Sequence, residues 1–310
     1  HDVNFVLAID NHNTTRASWD DATATDELGV GFENRIMASS LRVSIYTADN
    51  LYIGDGEDLM YWPISEDGSR YQFHGTVPVA LLEHASTLAA GVAPEYKFMV
   101  YANCDEGDGG AITYGFDDLD MISGAMPMWG VKQVDISSLL NKRVQELGTI
   151  SLLRAAAKIE VLVDESLADC TIDGASINYH NRSGYALPAG WDATASTTSL
   201  DRDAIFREYR QLHTSPHALT EVESGRRYVM YVPEYNNTIF PDFEAKISLN
   251  VTYNSTALEF PDALQFRTHV DGRPAGEASN IVRNTIYRFR ITQVKSGDLV
   301  LNYEVADWQR

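Results

Sequence analysis

Apolar and polar side chains alternate with a period of two along most of this chain, and that pattern restricts its fold more than any other feature. In Leu41-Arg42-Val43-Ser44-Ile45-Tyr46-Thr47 the apolar residues Leu41, Val43 and Ile45 project to one side, as in a strand with one buried face. Similar β-rich runs are Val3-Asn4-Phe5-Val6-Leu7-Ala8-Ile9, Tyr96-Lys97-Phe98-Met99-Val100-Tyr101 and Arg227-Tyr228-Val229-Met230-Tyr231-Val232. Two more close the chain, Thr285-Ile286-Tyr287-Arg288-Phe289-Arg290-Ile291-Thr292 and Leu299-Val300-Leu301-Asn302-Tyr303-Glu304-Val305. Turn-forming clusters punctuate them: Gly54-Asp55-Gly56, Asp67-Gly68-Ser69 and Lys295-Ser296-Gly297-Asp298. Strands spaced by turns predict an all-β protein built from antiparallel β-sandwiches. Short helices are expected over residues 79–90 and 201–212.

A chain of 310 residues exceeds one ordinary domain, so two domains are expected. The texture changes after Met126-Pro127-Met128-Trp129-Gly130, where a polar stretch over residues 142–148 leads into residues 150–163. The Ala-rich middle of that segment favours helix by propensity, and its end, Ile159-Glu160-Val161-Leu162-Val163, favours strand. The expected domains are residues 1–147 and 148–310.

The net charge of −20 excludes the clustered basic footprint that nucleic acid requires, and it opposes docking on an anionic membrane. No apolar stretch is long enough for a membrane-spanning helix. Because the chain begins at His1 and not Met, an upstream segment is expected to have been removed. Cys104 and Cys170 are too few for a disulfide scaffold, and whether they pair is left open.

A search for chemistry finds little. His213 and His217 have the spacing of a helical zinc pair, but Pro216 lies between them and no Glu follows His213, so a plain loop is expected. The acidic run of residues 105–110 fails the EF-hand spacing, because Gly107 occupies the third ligand position, and it is expected to be a solvated turn. No nucleophile elbow, phosphate loop or dinucleotide fingerprint occurs. The expectation is a protein with no catalytic residue, no metal and no cofactor.

Several segments together resemble the Bacteroidales fimbrillins, the FimA-type or type V pilins. Residues 3–9, a polar loop and Arg16-Ala17 resemble that family's leader strand and processing site. Residues 41–47 sit where the family has its next core strand, and residues 96–103 close on a similar Ala-Asn pair, Ala102-Asn103. Leu153-Arg154 with Ala157-Lys158-Ile159 is similar to its interdomain strand, and residues 228–234 to its Tyr-Val-x-Glu element. Arg283-Asn284 with Tyr287 resembles its Arg-Asn-x-x-Tyr signature, and Val305-Ala306-Asp307-Trp308 its closing Val-Ala-Glu-Trp, with Asp in place of Glu.

The resemblance implies two transthyretin-like sandwiches, exported as a lipoprotein precursor to the outer membrane and the cell surface. An Arg-specific protease would cut after Arg16 and free the strand carrying Val3, Phe5, Leu7 and Ile9. Which face of that strand points inward is not settled by the pattern. The exposed groove would then accept an extended strand from another fimbrial subunit, supporting adhesion to a host or bacterial surface receptor. Arg154, Lys158, Arg283, Asn284, Tyr287 and Trp308 would have structural roles. The family's stalk subunits continue beyond the closing Trp, whereas this sequence stops at Arg310, which ranks a tip or terminal subunit slightly ahead of a truncated chain or of another terminal segment acting as donor. Two further readings stay open: a monomeric surface module binding glycan or protein, and a secreted hydrolase.

Overall fold

A computed structural model describes residues 1–9, 27–28, 31–66, 68–104, 115–116, 125–189, 191, 194, 196–208, 211–295 and 297–309. In chain order the first half forms β1 (Asp2–Ile9), β2 (Glu27–Leu28), β3 (Arg42–Thr47), β4 (Tyr52–Asp55), β5 (Glu57–Pro63), β6 (Arg70–Thr76), helix α1 (Val79–Thr87), β7 (Glu95–Ala102), β8 (Gly115–Phe116), β9 (Met128–Asp135), the short helix α2 (Ser137–Asn141) and β10 (Val144–Arg154). The remainder forms β11 (Ala156–Val163), β12 (Cys170–Ile177), β13 (His180–Asn181), β14 (Gly184–Tyr185), β15 (Leu212–His213), β16 (His217–Ala218), β17 (Thr220–Glu223), β18 (Arg227–Pro233), β19 (Lys246–Tyr253), β20 (Thr256–Gln265), β21 (Arg267–Val270), β22 (Arg273–Ala278), β23 (Thr285–Lys295) and β24 (Asp298–Gln309). The fold is all-β, as the two-residue periodicity predicts.

Eight strands of the first half share one sheet in the order β4-β3-β7-β9-β10-β1-β6-β5. Strands β9 and β10 pair at Leu153 with Trp129 and at Arg154 with Met128, so the sheet has two limbs joined at the end of β10. Phe5, Phe73 and Ile150 on one limb share a core with Val43, Ile45, Phe98 and Val100 on the other. Helix α1 adds Leu81 and Ala85 to it.

Strands of the second half, joined by β2 from the first, form a six-stranded sheet, β17-β18-β11-β23-β24-β2, which packs on a four-stranded one, β16-β12-β19-β20. Ile159, Val161, Phe289 and Ile291 of the first share a core with Ile172, Ile177, Leu249 and Val251 of the second. Cys170 lies in this core and Cys104 elsewhere, and no disulfide joins them.

The structure decides the open reading of the Ala-rich segment and corrects one of the two expected helices. Ala155, Ala156 and Ala157 are fully buried in a strand passage, not a helix. Strand β11 is held by β18 on one side and β23 on the other, and this double pairing overrides the helical preference of alanine. Within residues 201–212 the described part is irregular rather than helical, ending in β15. There Asp201 accepts a hydrogen bond from the Asp203 N–H (3.0 Å), and such local bonds compete with a helical turn. The division expected between residues 147 and 148 falls inside β10, at a bulge where Gly148 has φ of 73°, and the chain leaves the eight-stranded sheet only after Arg154.

Gly130 explains one of the sequence landmarks. A Cβ there would lie 2.1 Å from the Ser151 carbonyl oxygen of the neighbouring strand, which is backbone and has no rotamer to escape into. Gly130→Ala is expected to destabilise the protein by about 1–3 kcal/mol or more, as overpacking does. Urea unfolding measures this, and a loss within about 0.5 kcal/mol, the range of an innocuous surface change, would contradict the close approach.

Candidate functional site: a seated first strand and a buried joint

Strand β1 is an interior strand. It runs parallel to β10, from Asp2 opposite Val144 to Ile9 opposite Leu152, and antiparallel to β6, from Asp2 opposite Thr76 to Ala8 opposite Arg70. Val3 and Phe5 are buried, so the odd-numbered face points into the core there. Phe5 stacks on Phe73 with ring centroids 5.2 Å apart and planes 8° from parallel. On the opposite face the Asn4 carboxamide bridges both neighbours, accepting from His74 Nδ1 at 2.8 Å and donating to Glu146 at 2.6 Å. The backbones of Leu7 and Ile9 pair with Ile150 and Leu152, while their side chains lie outside the described residues. Arg16 and Ala17 also lie outside the described residues, as does the acidic run of residues 105–110.

Where the chain passes from β10 to β11, the polar residues singled out by sequence converge on one buried joint. Arg154 is fully buried and donates to the Glu33 carbonyl (2.8 Å), the Trp308 carbonyl (2.8 Å), Asn284 Oδ1 (3.1 Å) and Asn34 Oδ1. Its guanidinium also lies 4.6 Å from the centre of the Trp308 ring, on which the ring of Tyr231 stacks. Asn284 adopts φ of 52°, a left-handed conformation that asparagine tolerates better than most residues. From it the backbone N–H reaches the Ala156 carbonyl (2.8 Å) and the carbonyl receives the Trp308 N–H (3.1 Å). β11, β23 and β24 are thus tied together at one corner.

Beside Arg154 runs a chain of alternating charges. Lys158 Nζ stands 2.8 Å from Glu33 and 3.1 Å from Glu160, and Tyr231 donates to Glu33 at 2.6 Å. Glu160 further receives Arg288 at 2.6 and 2.9 Å, and Arg227. Burial pushes Arg154 down, against the pull of Glu33 and Tyr231, yet leaves it a cation at neutral pH. Burial alone would raise Glu160, but Lys158, Arg288 and Arg227 together outweigh it and hold its carboxyl down to about 2. The Tyr231 hydroxyl is pushed up by burial and then by Glu33.

The remaining motif residues sit nearby. Arg283 forms a two-pronged pair with Glu234 (2.8 and 3.1 Å) and donates to the carbonyls of Tyr185 (2.7 Å) and Ala186. Tyr287 accepts from the Val282 N–H (2.8 Å) and donates to the Asn280 carbonyl (3.1 Å), and burial raises its hydroxyl to about 12. Asn103, at φ of 59°, accepts from the Met37 N–H and donates to the carbonyls of Arg35 and Met126. Glu33, Asn34 and Arg202, which pairs with Asp307 and Thr285, carried no sequence signal. Elsewhere, His213 and His217 adjoin a third imidazole, His180. Burial, then His217, His213 and Arg182, pushes His180 down to about 3.

This two-part architecture matches known structures along almost its full length. The tip fimbrial protein Mfa3 of Porphyromonas gingivalis, with a C-terminal truncation, superposes with a TM-score of 0.57 at 14% identity, covering 99% of this chain and 100% of that one. A fimbrial assembly protein of Parabacteroides distasonis gives 0.52 at 13% identity, covering 99% and 95%. The chain has a Bacteroidales fimbrillin-like fold. No protein-family model matches the sequence, and a search of curated proteins finds no match. In this fimbrillin-like chain the joint is the most heavily bonded polar feature described above.

Two outcomes are expected from it. Arg154→Met strips donors from four acceptors, and breaking a buried charge network of this kind costs about 3–5 kcal/mol; Arg154→Lys recovers little, since an ammonium lacks the fork. Urea unfolding of both variants checks this, and a loss below about 1 kcal/mol would contradict it. Acid is the second probe. Glu160 titrates at about 2 when folded, below its unfolded value of about 4.3, so its contribution is complete above that value and vanishes as pH falls towards 2. Glu160→Gln is expected to lower stability at pH 7 and to flatten the decline below pH 4.5, seen by thermal melts across that range.

Proposed function

We propose that this chain is a structural subunit of a bacterial cell-surface fimbria that assembles by exchanging its first strand. In this reading it is exported as a lipoprotein precursor to the outer membrane. An Arg-specific protease cleaves after Arg16, β1 leaves, and an extended segment of a neighbouring subunit takes its place, building a fibre that supports adhesion. The observation that carries the reading is the position of β1, interior to the sheet yet close to the start of the described chain. Its loss would leave a slot two strand spacings wide, about 9.6 Å, between β10 and β6. Both flanks would present unpaired N–H and C=O groups, and Phe73, Ile150 and Leu152 would lose their cover. Such a slot binds a strand by backbone pairing and selects it by the pockets for alternate side chains.

Several further points belong to the proposal. The likeness to a tip protein makes the fibre tip the first position to test. The two sandwiches meet at Ala155, between β10 and β11, and we place the domain division there. Arg154, Lys158, Asn284 and Trp308 hold the second sandwich to the first, so that the slot keeps its shape when β1 is absent. No catalytic role is assigned to any residue.

Limited digestion with an Arg-specific protease tests the idea. A single early cut after Arg16 is expected, followed by release of β1 when a competing strand peptide is supplied. Phe5→Ala should cost about 3–5 kcal/mol in the intact chain and nothing in the cleaved, peptide-bound one. Resistance at Arg16 in the folded protein, or a cleaved form that keeps β1 and binds no peptide, would sink strand exchange and favour a free-standing surface binding module.

A further inference from the structure

We propose that His180, His213 and His217 form a binding site for a divalent transition-metal ion, Zn2+ foremost, at the edge of the second sandwich. Three strands bring them together. His180 of β13 is the pairing partner of His213 in β15, and His217 of β16 pairs with Ile177 at the end of β12. One ligand nitrogen from each imidazole lies within 4.8 Å of the other two. The ring centroids are 4.9, 5.1 and 5.2 Å apart. A tetrahedral ion with bonds of about 2.0–2.1 Å wants its nitrogens about 3.3 Å apart. Closing that difference requires ring rotation, for which His217, the exposed member, has the most freedom.

Two further observations point to a ligand. His180 is buried to 3% exposure, and its Nδ1 has no hydrogen-bond partner among the described residues. A buried polar nitrogen left so is costly, and a metal bond removes the cost. His213 Nδ1 lies 2.8 Å from the Ser215 carbonyl oxygen, which can only accept. The proton therefore sits on Nδ1, and Nε2 keeps its lone pair for a metal. An outward hydrogen bond of this type normally orients a metal-bound histidine. The chemistry of the set selects the ion: three imidazoles with no carboxylate among them suit Zn2+, Ni2+ or Cu2+ and are poor ligands for Ca2+ or Mg2+. Arg182 adds positive charge nearby, so any affinity comes from the imidazole nitrogens and not from local acidity. Three protein ligands leave a fourth position for water. An ion held there would tie the β13–β15 pair to β16, which is itself paired with the end of β12.

The test uses the untagged full chain, stripped with a chelator. Titration with Zn2+ by calorimetry, and with Co2+ by its visible absorption, is expected to give one ion per chain and the intense bands of a tetrahedral site. His213→Ala and His217→Ala, both at accessible positions, are expected to keep the metal-free melting temperature. Each should weaken binding by more than about 100-fold, since losing even an outer partner of a ligand costs 10–100-fold. Saturating Zn2+ is expected to raise the melting temperature of the unmodified chain and not of these two variants. Binding unchanged in both variants, or Co2+ spectra without tetrahedral bands, would overturn the proposal.

Discussion

A guanidinium withdrawn from water must find acceptors, and Arg154 finds four of them on three separated stretches of chain. Desolvating that charge is expensive, and the expense is recovered only if Glu33, Asn34, Asn284 and Trp308 all arrive in place. The arrangement is consequently close to all-or-none. Trp308 then belongs to the core of the first sandwich although it lies on the last strand of the second, along with Tyr231, Ile286 and Ala306. A polar hub with an apolar surround makes the two sandwiches neighbours through packing, and gives the packing one allowed register.

The charges beyond Arg154 extend the same logic. Lys158 and Glu160 are neighbours on the same face of one strand, 3.1 Å apart, and each has further partners: Glu33 for Lys158, and Arg227 and Arg288 for Glu160. Because β11 is flanked by β18 and β23, those partners can come only from the strands beside it or from the chain above its end. Residues 31–34, a single tight turn, supply the latter. A small element without sequence periodicity thereby becomes indispensable to the joint.

Much of the fold was legible because alternation is a direct consequence of the pleat, so the runs around Leu41, Tyr96, Tyr228 and Thr285 could be placed with no knowledge of their partners. The segment around Ala155 was ambiguous for a physical reason: alanine's preference is local, while burial between two neighbouring strands is not. The polar stretch over residues 142–148 reads as a border, yet from Val144 onward it lies in β10 with mostly exposed side chains. The motif residues could be singled out by resemblance, but their shared purpose could not, since Glu33 and Asn34 lie about 120 residues away in the chain. The three histidines failed for the same reason. Spacing within one helix is visible in a sequence, whereas His180 reaches His213 through a ladder that only the folded sheet defines.

Strand β1 has a consequence for the order of events during synthesis. It is made before either of the strands that flank it, yet Asn4 meets its partner Glu146 across a separation of 142 residues. Contacts that distant carry the largest loop-closure cost and form late. Between the making of β6 and that of β10 the strand therefore has half its seat missing, with no β10-side cover on its edge. The nascent chain passes through a stage in which any extended peptide is a competitor for that edge. A guardian that shields strand edges would matter most to this protein in the interval between making β6 and completing β10.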